Sequence, residues 1–222
     1  DLLAQPKEVQ DRFYPFICGI NGNDRYSADH IRRLLETYPD FWSGIGELMS
    51  RHDDLTALTY GEPAHINSKA FKEIFDLGAE YDLPVMVHHN ITSSNSDDTK
   101  YLGELEEALA HNRDCNIIWA HAGISRRVEI TNLLDVADKL LKENSNLYID
   151  ISWLVYDYYY LDKFPDNFDD GYSKEDWVAL FEKWPDRFLI GSDKVGHWET
   201  YPDEITKYND LLDRLTPGTR EK

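Results

Sequence analysis

Side chains of metal-binding type recur at the ends of short apolar runs in this sequence. Glu47 closes Ser43-Gly-Ile-Gly-Glu47, and His88 and His89 close Pro84-Val-Met-Val-His-His89. His121 follows Asn116-Ile-Ile-Trp-Ala120, and Asp193 follows Arg187-Phe-Leu-Ile-Gly-Ser192. Two imidazoles and a carboxylate meeting at one point form a first shell for Zn²⁺, Mn²⁺ or Fe²⁺. A divalent ion bound there lowers the pKa of its water toward neutrality. His88 is expected to be a ligand, and His121 either a ligand or a group polarising a substrate. Asp150, near the end of Leu147-Tyr-Ile-Asp150, is placed to orient a neighbouring ligand. Arg51, Arg126 and Lys194 are the cations that can meet a substrate carboxylate, and His197 lies close behind Asp193. His52 and His65 read as solvated loop histidines, and His89 points to the face opposite His88.

The elements that must position these groups follow from the pattern. Each apolar run is short, β-branched and closed by a polar or glycine residue, which reads as a buried strand. Phe16-Ile-Cys-Gly-Ile20 is a further such run. Segments with helical spacing lie between the runs, among them Lys69 to Tyr81, Tyr101 to Asn112 and Val128 to Glu143. Ser27 and Ser68 are N-cap candidates. Asp1 to Tyr14 reads as a leading helix. The strand starts recur at the spacing of a strand plus its crossover helix, which gives six βα units in series. The aromatic segment Trp153, Tyr156, Tyr158, Tyr159 and Tyr160 either lines a substrate pocket or packs as a short helix on the rim. Strand tips at the C-terminal side of a parallel α/β fold are where such folds place their chemistry.

Gly44-Ile-Gly-Glu47, Pro84-Val-Met-Val-His88, Ala120-His-Ala-Gly123 and Gly191-Ser-Asp193, in that order, resemble the amidohydrolase superfamily of metal-dependent hydrolases. The resemblance spans about Phe16 to Asp193. It implies a (β/α)8 TIM barrel, with metal ligands at His88, His121 and Asp193 on the fifth, sixth and eighth strands. It places Glu47 on the fourth, where some members bridge two metals. It implies that Asp193 both touches the metal and takes the proton from the attacking water. The family's His-x-His pair on the first strand is missing from this sequence. Residues 1–222 are therefore expected to form a single, partial barrel domain lacking its first two strands, with the C-terminal end also cut short. The implied activity is hydrolysis of a small-molecule amide, ester or lactone, with zinc the first choice of metal. Non-oxidative decarboxylation of an aromatic acid is the alternative, favoured by a cation in the site. A non-catalytic scaffold is the second alternative.

The chain has 222 residues, 42 acidic against 23 basic side chains, and a formal charge of −19. Such a field repels phosphate backbones, and no basic patch offsets it, so nucleic acid is excluded as a partner. That counts against the deoxyribonuclease branch of the family. No run approaches the ~20 apolar residues of a membrane span. Cys18 and Cys115 are expected to be buried, reduced thiols. A cytoplasmic enzyme of a small molecule is expected, and a homo-oligomer is compatible with the sequence.

Overall fold

A computed structural model describes residues 2–52, 63–93, 95–124, 128–153, 155–163 and 169–222. The six apolar runs form six strands: β1 Phe16–Ile17, β2 Gly44–Ser50, β3 Val85–His89, β4 Ile117–Trp119, β5 Leu147–Asp150 and β6 Phe188–Leu189. They make one sheet in the order β1-β2-β3-β4-β5-β6, and every pair is parallel. Each strand is tied to the residue that leads into the next. Ile45 N donates to Pro84 O at 2.9 Å, Val85 N to Asn116 O at 2.9 Å, and Ile117 N to Asn146 O at 2.8 Å. This is the sequential βα architecture expected from the strand spacing, with six of a barrel's eight units present.

Helices return the chain between strands: α1 Ser27–Thr37, α2 Lys69–Glu80, α3 Leu102–His111, α4 Leu133–Glu143 and α5 Lys174–Lys183. Short helices, α6 Tyr201–Thr206, α7 Asn209–Arg214 and α8 Pro217–Arg220, follow β6. The apolar stripe of α2 (Phe71, Ile74, Phe75 and Leu77) is buried, and Ser68 Oγ accepts from Phe71 N at 3.4 Å to cap it. Strand side chains Ile45, Val85, Val87, Ile117, Leu147 and Ile149 are at most 1 % exposed. They form one core with the helix stripes. Burial on that scale contributes about 1.5–3 kcal/mol for each large aliphatic side chain.

Several local expectations are corrected. The helix expected over Asp1 to Tyr14 is not formed as one piece among the described residues 2–14. Leu2–Ala4 is a 3₁₀ turn and Lys7–Gln10 a single α turn, separated around Pro6, which cannot donate a helical hydrogen bond. The helix expected from Val128 begins at Leu133. Upstream amides are taken by side chains instead, Ile130 N by Tyr159 Oη at 2.6 Å and Thr131 N by Asp97 Oδ2 at 2.9 Å. Cys18 is exposed, whereas Cys115 is buried and its thiol pKa is pushed up to about 12, chiefly by burial. Val155–Tyr160 is a π-helical stretch with Tyr156, Tyr159 and Tyr160 at most 2 % exposed. These tyrosines therefore belong to the packing reading of the aromatic segment. No helix among the described residues is long and apolar enough to cross a membrane.

Candidate metal centre

Strands in a flat sheet lie about 4.8 Å apart, so β2 and β6 would be separated by roughly 19 Å. Yet Glu47 Oε1, from β2, and Asp193 Oδ2, beyond β6, lie 3.3 Å and 3.9 Å from the same atom, His121 Nε2. The sheet is therefore strongly curled, and its tips converge.

Each converging group is delivered by a local device. In β2 the register against β3 shifts between Ile45 and Leu48, and the irregularity contains Gly46 and Glu47. Gly46 has φ +124°, and a Cβ there would lie 2.2 Å from Met86 O, so only glycine lets β2 approach β3 in this form. His88 sits in β3 proper. His121 does not. Strand β4 ends at Trp119, and His121 and Ala122 have φ of 51° and 45° inside a tight turn. The alternation that puts Trp119 and His121 on one face thus stops short. Trp119 is buried and donates from Nε1 to His89 O at 3.0 Å. Gly123 closes this turn at φ +63°, with an added Cβ 2.3 Å from His89 O. Asp193, at φ 47°, lies beyond the two-residue β6 in a connecting loop.

Glu47 Oε1 lies 3.2 Å from His88 Nδ1 and 3.3 Å from His121 Nε2. It is buried and has no partner with hydrogen-bond geometry. The far nitrogens explain this. His88 Nε2 is 2.8 Å from Asn90 Oδ1 and donates to it. His121 Nδ1 is 2.8 Å from Ser152 Oγ and 3.1 Å from Asp150 Oδ2. Ser152 Oγ donates to Asp150 Oδ2 at 2.5 Å. With their other ring nitrogens held by Asn90 and by Ser152 and Asp150, His88 Nδ1 and His121 Nε2 both face the carboxylate oxygen.

A carboxylate oxygen between two ring nitrogens is satisfied by a positive charge, carried either by a proton on an imidazole or by a metal ion. One ligand atom from each of Glu47, His88 and His121 can be chosen so that all lie within 4.8 Å of one another. Ligands about 2.0–2.1 Å from a tetrahedral zinc stand roughly 3.4 Å apart, close to the two spacings at Glu47. The residues present therefore fit a divalent ion. Electrostatics agree. Burial alone raises the Glu47 pKa, but the imidazoles of His121 and His88 outweigh it and hold the carboxyl at about 2. Burial lowers the His121 pKa, but Asp150 and Glu47 overcome this and raise it to about 10. A proton and a metal ion satisfy the same field. Asp193 is shifted upward by burial first, with His121 opposing and Glu47 and Asp150 adding to the rise.

The remaining sequence candidates are held elsewhere. Arg51 Nε is 3.1 Å from Glu104 Oε2, its Nη2 is paired with Glu104 Oε1 and is 2.9 Å from His65 Nδ1, and its guanidinium lies 3.9 Å over the Tyr101 ring. Lys194 Nζ is 3.6 Å from Glu204 Oε1. His197 is exposed and 3.3 Å from Glu199 Oε1. Arg126 lies outside the described residues. His89 is fully buried, with Nε2 donating to Tyr101 O at 3.0 Å, and burial lowers its pKa to about 4.

Sequence reasoning missed the placement of His52, Asn90 and Ser152, whereas Trp153 belongs to the aromatic segment already singled out. His52 is 8 % exposed rather than solvated, and its ring lies 4.2 Å from that of His88 at 30°. Its position two residues beyond β2 was the available signal. Asn90 and Ser152 direct the two imidazoles, and each lies two residues from a residue already singled out. Trp153 meets the His121 ring edge-on at 5.6 Å.

No protein-family model matches the sequence, and a search of curated proteins found no match. Solved structures do match. A dihydroorotase from Campylobacter jejuni aligns at TM-score 0.53 and 16 % identity, covering 92 % of this chain and 63 % of that one. An amidohydrolase from Burkholderia multivorans with bound zinc aligns at TM-score 0.51 and 14 % identity, covering 90 % of this chain and 67 % of that one. A 2,6-dihydroxybenzoate decarboxylase aligns at 0.47 and 15 %, covering 95 % and 67 %. The chain thus spans just under two thirds of the dihydroorotase. The likeness is one of fold: this chain shares the parallel βα architecture of the dihydroorotase and the amidohydrolase, with six βα units among the described residues.

Proposed function

We propose that the protein is a metal-dependent hydrolase of a small-molecule amide, ester or lactone. The observation that carries this reading is the convergence of Glu47 Oε1, His88 Nδ1 and His121 Nε2 on one point. One carboxylate and two imidazoles suit zinc, and also manganese or iron. A divalent ion held by these atoms supplies Lewis acidity and a lowered pKa for a water at the centre. Asp150 and Ser152 hold His121 in the tautomer that leaves Nε2 free, and Asn90 does the same for His88 Nδ1. Asp193 Oδ2, 3.9 Å from His121 Nε2, stands at the edge of the cluster rather than in its tightest part. Its raised pKa makes it a better base than an ordinary aspartate. Asp193 takes a proton from the attacking water and returns it to the leaving amine or alkoxide, so that carbonyl compound plus water gives acid plus amine or alcohol. Decarboxylation is less well supported. An aromatic acid needs a cation, and Arg51 and Lys194 are paired with Glu104 and Glu204.

The test is zinc stoichiometry after loading and desalting, with hydrolysis of a panel of esters, lactones and amides. About one zinc per chain is expected, with turnover abolished by chelation and reduced at least 100-fold in Asp193→Asn. Protein that retains no zinc, or turnover indifferent to Asp193→Asn, defeats the reading.

A further inference from the structure

A cavity of about 280 Å³ opens beside Glu47, between the segment that follows β1 and the far end of β2. Its walls include Cys18, Ile20, Asn21, Met49 and Ala64, and Glu47 is the one charged side chain lining it among the described residues. Met49 is two residues from Glu47 on β2 and shares its side of the strand. The volume is near the lower end of the roughly 300–1,000 Å³ of small-molecule sites. Carboxylates dominate the centre that adjoins it. Glu47, Asp150 and Asp193 all stand within 4 Å of His121 ring nitrogens, and among the described residues none of the three has a Lys or Arg ion-pair partner. Three carboxylates exceed the charge of a divalent ion, so even a loaded centre offers an anion no net attraction.

We propose that this cavity receives the uncharged, apolar acyl substituent of the substrate, and that the centre selects neutral compounds over carboxylate-bearing ones of the same shape. The inference rests on the hydrolase reading for the word acyl, but the cavity's preference is measurable without turnover. Ile20, Met49 and Ala64 provide the apolar contact, and Asn21 is a polar residue in the wall. A substrate carboxylate placed there gives up its hydration and faces Glu47 without a compensating cation.

Two experiments on the zinc-loaded protein test this. The first compares 4-nitrophenyl butyrate with 4-nitrophenyl hemisuccinate, which differ at the distal end of the acyl chain by a methyl against a carboxylate. The neutral ester is expected to be favoured in kcat/KM by about tenfold or more, and Met49→Lys is expected to narrow that ratio by about tenfold. The second uses Cys18 as a reporter in the cavity wall, because Cys115 is buried and unreactive. Alkylation at Cys18, located by peptide mass spectrometry, is expected to favour iodoacetamide over iodoacetate by at least about fivefold more than glutathione does. Metal-dependent turnover with equal or better use of the hemisuccinate overturns the cavity assignment and leaves the hydrolase reading standing. Loss of turnover on all substrates sinks the hydrolase reading instead, and the alkylation ratio then decides for the cavity. A ratio equal to that of glutathione overturns it.

Discussion

Replacing Asp150 with asparagine tests whether the outward hydrogen bonds of His121 build the centre. The carboxylate accepts from Ser152 Oγ at 2.5 Å, from His121 N at 3.2 Å and from Ser152 N at 3.2 Å, and lies 3.1 Å from His121 Nδ1. Asparagine keeps the shape, removes the charge and introduces an amide that can donate to Nδ1. That donation drives the ring proton to Nε2, the atom that faces Glu47. An ion bound at Nε2 lies about 7 Å from Asp150 Oδ2, taking about 2.1 Å for the metal–nitrogen bond. Removing one charge at that distance from a divalent ion costs about 1.2 kcal/mol in bulk water and about 4.7 kcal/mol at an effective dielectric of 20. Loss of an outer hydrogen-bond partner of a metal-bound histidine costs 10- to 100-fold in affinity, about 1.4–2.7 kcal/mol, within that bracket. Zinc affinity of Asp150→Asn is therefore expected to fall about 30-fold, measured by competition with a chromophoric chelator. Urea unfolding of the metal-free protein checks that the fold survives. The His121 imidazolium in the metal-free variant should also titrate below the value of about 10 set by Asp150 and Glu47. A folded Asp150→Asn protein that binds zinc within threefold of the parent refutes the orienting role.

Zinc must displace the proton on His121, so between about pH 7 and 9.5 the dissociation constant should fall close to tenfold per pH unit, by calorimetry in two buffers. A flat profile with no proton release contradicts the raised pKa of His121. His89 is buried with its pKa lowered to about 4, so below about pH 6.5 the unfolded chain binds a proton that the native state refuses. Stability is unaffected by this group above pH 6.5 and is lost as pH falls, by up to about 3.4 kcal/mol near pH 4. His89→Asn should lower stability at pH 7 yet flatten that acid limb in urea titrations, and parallel limbs would exclude the assignment. Gly46→Ala puts a Cβ 2.2 Å from Met86 O at a φ of +124°. It should destabilise by about 3 kcal/mol and abolish zinc retention, and an alanine protein with unchanged urea midpoint and zinc content would show that β2 relaxes freely.

The fold was legible because strand burial is written directly into composition. Val85, Val87, Ile117, Leu147 and Ile149 are apolar because both faces of a parallel sheet are covered, and their spacing forces one crossover per strand. The convergence of Glu47, His88, His121 and Asp193 was legible for the same reason, since residues at successive strand ends share one side of the sheet. What the sequence concealed depends on backbone that leaves the strand. Alternation assumes that β4 reaches His121, but the chain turns into positive φ after Ala120, and no pattern of apolar residues encodes that change. Arg51 looked available because its charge is visible in one dimension. Its partners Glu104 and Tyr101 are 53 and 50 residues away in sequence and come from the neighbouring βα unit. His52 looked solvated because its segment is polar, whereas its ring lies against that of His88 because β2 pairs directly with β3.

The motif glycines explain why the site is built on departures from regular strand geometry. A parallel strand aims alternate side chains to opposite faces, so a perfect β2 could bring Glu47 to the centre only by fixing the faces of Ile45 and Met49 as well. The register shift at Gly46 uncouples them: Ile45 stays in the core at 0 % exposure while Glu47 and Met49 line the same cavity. The turn at Gly123 does the equivalent for β4. It leaves Trp119 in the core, bonded to His89 O, and swings His121 Nε2 to within 3.3 Å of Glu47. A side chain longer than hydrogen at either glycine meets a β3 carbonyl, Met86 O or His89 O, so both departures are braced against the strand that carries His88. Strand β3 is regular through His88 and His89, and both irregular neighbours take their position from it. Orientation of the two candidate ligands on either side is therefore coupled through β3. A perturbation of the backbone at Met86 or His89 should disturb Glu47 and His121 together, even though neither glycine carries a side chain that could touch a metal.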